Sequence, residues 1–94
     1  MRGLQLYARY RSAIRNLAES PTSREHWQKE IQTLVRQAAT DLATLEPQSA
    51  QQLRDELCGQ LEQEALRATT PHRSAVLLAA VNGLESISVP VANR

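Results

Sequence analysis

"WQKEIQTLVRQAATDLATL", residues 27–45, decides the fold class. Trp27, Ile31, Leu34, Val35, Ala38, Leu42 and Leu45 recur at helical spacing and put the large apolar side chains of the stretch on one face. Such a stripe must be buried against other apolar surface, and the flanking sequence offers more stripes of the same period. Upstream, Tyr7, Tyr10, Ile14 and Leu17 recur at related spacing, widened by Leu6 and Ala13, and predict a first helix over about residues 3–19. Ser20-Pro21 stops it, and Thr22 with Glu25 reads as a capping box that opens the second helix. Downstream, Glu46-Pro47 breaks the chain again and Ser49 with Gln52 gives a second box-like start. Leu53, Leu57, Leu61 and Ala65 then repeat in steps of four on a third helix. Thr70-Pro71 is an N-cap followed by proline at the first helical position, and the fourth helix is expected to end near Val81, with Asn82-Gly83 as its stop.

Beyond Gly83 the period changes. Ile87, Val89 and Val91 alternate with Ser86, Ser88 and Pro90, the pattern of extended chain, while Pro90 argues against a central strand. The expectation is an all-α fold: a small antiparallel three- to four-helix bundle over residues 1–85 with an extended C-terminal tail over 86–94. That tail either lies on its own bundle or a partner, or frays. With 13 alanines and only three aromatic residues, the helices either approach closely or leave a lumen between them.

Composition narrows the function classes. Ninety-four residues make one small domain, and a net charge of +1 supplies no global field for nucleic acid or a membrane surface. The charge is uneven, however. Residues 1–20 carry Arg2, Arg9, Arg11 and Arg15 against Glu19, whereas residues 46–67 carry Glu46, Asp55, Glu56, Glu62 and Glu64 against Arg54 and Arg67. These poles either pair inside the fold or serve a partner. A basic reading face for nucleic acid is missing from every helix. Cys58 is the single cysteine, so no internal disulfide forms, and on its leucine-rich stretch it reads as a small buried hydrophobe. His26 and His72 have no ligand-type spacing, so no metal is expected. The apolar run Ala75–Val81 is too short to span a bilayer. Residues 1–20 lack a secretory h-region. They are Arg-rich and nearly acid-free, like a mitochondrial presequence, yet they read as the first folded helix. With no phosphate loop, nucleophile elbow or metal spacing, no catalytic residue is assigned and the chain is expected not to be an enzyme.

Arg11 and Arg15 lie one turn apart at a margin of the first apolar stripe, a forked pair suited to an acidic partner or else a solvated pair whose stems cover the core edge. Tyr10-Arg11-Ser12-Ala13-Ile14-Arg15 resembles the signature of the mitochondrial LYR-motif proteins: Leu-Tyr-Arg, two variable residues, an aliphatic residue and Arg. Tyr10, Arg11, Ile14 and Arg15 match, and Arg9 stands where the leading Leu is usual. A second correspondence follows in Trp27, Ile31, Val35 and Arg36, in the order aromatic, aliphatic, Phe, basic, with Val35 in place of Phe. The resemblance covers about residues 3–67.

The resemblance implies a three-helix bundle that serves as an accessory subunit or assembly factor of a mitochondrial complex: a respiratory complex, ATP synthase or the mitoribosome. The location would be the matrix or the matrix face of the inner membrane. It implies binding of the mitochondrial acyl carrier protein, whose acyl chain, carried on 4′-phosphopantetheine, enters between the helices; no cofactor would be attached to this chain itself. On that reading Arg11, Arg15 and Arg36 meet the acidic carrier, and Tyr10, Ile14, Ile31, Leu34, Val35 and Leu57 line the acyl slot. The alternative is a purely structural helical subunit of a large membrane-associated assembly, ATP synthase for example, without carrier binding.

Overall fold

Three of the helices start where an extended residue, Ser23, Glu46 or Thr70, hands its carbonyl to the first turn. The computed structural model describes residues 2–87 and contains α1 (Arg2–Glu19), α2 (Arg24–Ala43), α3 (Pro47–Leu66) and α4 (Pro71–Glu85). At α4 the expected device is in place: Thr70 Oγ1 accepts the backbone N–H of Arg73 at 3.2 Å and Pro71 opens the helix. At α2 the cap is Ser23, one residue later than Thr22, and its hydroxyl accepts the His26 N–H at 3.2 Å. Glu25 then falls inside the first turn and the expected Thr22–Glu25 box does not form. At α3 proline overrides the second box. The fixed φ of Pro47 suits the first helical position, so the helix starts there with Ala50 N–H on the Glu46 carbonyl at 2.8 Å, and Ser49 is already inside.

The fourth helix also departs from expectation. It runs through Asn82-Gly83 to Glu85, because Gly83 has no positive φ and is not a terminator. Gly83 faces α2, where a Cβ would lie 2.6 Å from Val35 Cγ2. The glycine therefore sets how closely α2 and α4 approach. Gly83→Ala brings a helix-propensity gain of about 1 kcal/mol against an overpacking cost of about 1–3 kcal/mol, and Val35 is stiff at χ1 in a helix. The substitution is expected to lower the urea midpoint, and Val35→Ala added to it is expected to recover the loss. A Gly83→Ala protein as stable as the parent would show that the two helices do not meet there.

The helices run up–down–up–down. Leu17, Trp27, Glu64 and His72 share one end of the bundle: His72 Nε2 lies 3.1 Å from the Leu17 carbonyl and its ring packs edge-on against Trp27. Tyr10 of α1 donates its hydroxyl to Asp41 of α2 nearer the other end. Burial first, and then that bond, push the Tyr10 hydroxyl up to about 12, so it stays a donor at neutral pH. The buried stripe of α1 is Leu6, Tyr10, Ile14 and Ala18, with Tyr7 and Leu17 at its margins. On α3, Leu57, Leu61 and Ala65 are buried as their spacing predicts, with Leu53 partly covered.

Helix α4 packs against all three other helices and buries Val76, Leu77, Ala80, Val81 and Leu84. Close approach, not a lumen, is therefore the outcome. The interior space bounded by Leu6, Tyr10, Ala38, Leu42, Leu57 and Leu84 is ≈ 10 Å³, at the lower limit of what a single water needs, about 10–15 Å³. Of the expected tail, Ser86 caps α4 and Ile87 is buried, its carbonyl accepting Arg54 Nη1–H at 2.8 Å. Residues 88–94 of that tail lie outside the described residues.

Candidate functional site

Arg11 and Arg15 do sit side by side on α1, but both reach back to α3. Arg11 Nε donates to Glu64 Oε2 at 3.1 Å, and Arg15 Nε lies 3.4 Å from Glu64 Oε1. The Glu64 side chain is only 12 % exposed, whereas those of Arg11 and Arg15 are 34 % and 41 % exposed. Here the basic first segment and the acidic third segment pair within the fold. The fork is therefore neither simply solvated nor wholly free for an acidic partner: its Nε edges are engaged by the chain's own carboxylate. Arg36 is not with them. It lies on α2, exposed, at the rim of a different surface. Arg9 attends to Asp41 at 3.9 Å and stacks over the Tyr10 ring, 5.6 Å from its centroid.

The six residues expected to line an acyl slot are distributed over four settings. Tyr10 and Leu57 face the nearly closed interior space, and Ile14 is buried in solid core. Leu34 packs half-buried against the core, and Ile31 and Val35 line an open groove between α2 and α4. No single slot joins them in this structure, because the side chains of α4 occupy the volume that three helices alone would leave.

That groove is an open, largely apolar concavity. It encloses ≈ 520 Å³ and is lined by Trp27, Gln28, Ile31, Gln32, Val35 and Arg36 of α2 with Ala79, Gly83 and the capping Ser86 from α4. Its chemistry is an apolar floor with amides and one guanidinium at the rim. The sequence pointed to Ile31 and Val35 as lining of an interior slot and to Arg36 as a contact to an acidic carrier. The missing signal was Gly83: a glycine inside a helical pattern can mark close packing as well as an end.

No family model matches this chain, and neither a curated protein nor a solved structure is significantly similar to it.

The remaining reactive groups have structural surroundings. Cys58 is buried, and burial, followed by the nearby Glu85 carboxylate, pushes its thiol up to about 11. Among the described residues no three His, Cys, Asp or Glu side chains cluster as metal ligands, and no helix is long and apolar enough to cross a membrane.

Proposed function

We propose that this chain is a non-catalytic helical subunit or assembly factor that docks on a larger protein assembly through the α2–α4 groove, without an acyl chain in its interior. The observation that supports the reading is the groove itself: an apolar floor of Trp27, Ile31 and Val35 beside an exposed Arg36. Its occupant is an amphipathic partner helix whose apolar face lies along α2 and which carries a carboxylate opposite Arg36. Trp27 to Val35 spans about two helical turns, the footprint of i, i+3/i+4, i+7 anchors. The likeness of Tyr10, Arg11, Ile14 and Arg15 to the LYR signature makes the assembly, on this reading, a mitochondrial one: a respiratory complex, ATP synthase or the mitoribosome.

Binding of the acyl carrier protein asks more of this fold. An acyl chain entering between the helices would have to displace Val76, Leu77 or Leu84, which are among the most buried side chains of the molecule. The test is an intact-mass measurement of the tagged protein purified with its native companions. Gln32→Glu with Arg36→Glu is expected to release the companion while leaving the melting temperature unchanged, since both positions are exposed. A companion bearing phosphopantetheine and a fatty acyl group, retained by that double variant, would overturn the groove reading and favour the carrier one.

A further inference from the structure

At the end of the bundle where α1 stops and α4 begins, four arginines line one recess of ≈ 340 Å³: Arg11 and Arg15 of α1, Arg67 at the C-cap of α3, and Arg73 in the first turn of α4. The recess also contains Glu64, and Arg73 Nη1 lies 3.7 Å from Glu19. Four guanidiniums against two carboxylates leave a local charge of +2 on a chain whose whole net charge is +1. We infer that this recess binds a phosphate dianion, either free or as the phosphomonoester of a larger molecule.

The donor inventory carries the inference. Each guanidinium offers five N–H groups in a planar fork. Glu64 accepts a hydrogen bond from Arg11 through Nε and is approached most closely by Arg15 through Nε as well, and among the described residues no Nη atom of either makes a hydrogen bond. Arg15 Nε is itself buried without a hydrogen bond of good geometry. Arg67 makes no side-chain hydrogen bond or ion pair among the described residues, though it is exposed beside three other cations. Like charges gathered this way repel one another unless an anion joins them. A carboxylate is a poor match, because one such group is already inside and two oxygens leave most donors unmet. A phosphomonoester brings three acceptor oxygens and, with a second ionisation near about 6, close to two negative charges at neutral pH. Thr69 and Gln60 add neutral polar groups to the recess wall.

The site is on a different face from the α2–α4 groove and stands or falls separately from it. The experiment is isothermal titration calorimetry of the full chain with inorganic phosphate and with glycerol phosphate, at neutral pH and constant ionic strength. Arg67→Ala is the main variant, because the Arg67 side chain makes no hydrogen bond or ion pair among the described residues. It is expected to keep the parent melting temperature and to weaken binding by about tenfold or more, the consequence of losing one charge-assisted donor group. Glu64→Gln, which removes the competing carboxylate, is expected to tighten binding several-fold. Sedimentation with phosphatidylcholine vesicles, with and without phosphatidic acid, separates the sources: Arg67-dependent binding only to the latter identifies a lipid headgroup, and Arg67-dependent binding of the soluble esters identifies a free one. Binding equal in parent and Arg67→Ala, no binding of any phosphate probe, or binding of an acidic peptide alone would each overturn the proposal.

Discussion

A fragment ending at Thr69, and so lacking α4, is expected not to fold cooperatively. Helix α4 supplies Val76, Leu77, Val81 and Leu84 to the core, and three of these are among the five largest fully buried side chains. Each fully buried Val or Leu contributes roughly 1.5–3 kcal/mol, so the four together match the whole stability of a small domain, about 5–15 kcal/mol. Deleting them also removes the helix that packs against all three others. Circular dichroism should show reduced helix with no sharp melting transition, and a hydrophobic dye should bind. A peptide of residues 70–87 added in trans should restore cooperativity. A fragment that melts sharply by itself would mean that α1–α3 form a sufficient core, and would bring back the three-helix unit with a space inside it that the LYR resemblance implies.

The second large effect contrasts two leucines on one helix. Leu61 is fully buried in α3, whereas Leu66, five residues on, is 79 % exposed. Leu61→Ala is expected to cost about 2–5 kcal/mol, since the removed atoms leave a cavity that tightly packed neighbours cannot close. For a domain of this size that lowers the melting temperature by well over about 8 °C. Leu66→Ala should stay within about 0.5 kcal/mol of the parent. Equal losses at the two positions, measured by urea unfolding, would contradict the packing described for α3.

These two experiments also mark how far the sequence alone could be read. Period and proline placement were enough for four helices and three connections, because both act locally: Thr70-Pro71 starts α4 whatever surrounds it. Exact starts were less legible. Ser23 displaced Thr22 as the cap, since neighbouring cap-competent residues differ little in free energy, and the fixed φ of Pro47 started α3 ahead of Ser49. The candidate site was legible only in part. Arg11 and Arg15 were visible as a pair because they are one turn apart, but their partner Glu64 is 53 and 49 positions away, and no local pattern names it. Arg67 and Arg73 were missed for the same reason: each looks like an ordinary surface cation until the α3–α4 turn carries it to the end of α1.

By itself, then, the chain's order of residues determined an all-α bundle, where its helices break, and which faces are apolar, since these follow from propensity, capping and period within a few turns. Only the tertiary structure decided that α4 closes the interior, that Gly83 brings α2 and α4 together beneath an open groove, and that four arginines share one recess. Those are relations between segments distant along the chain. They are set by which apolar stripes can be buried together at once, and no stretch of sequence contains that choice.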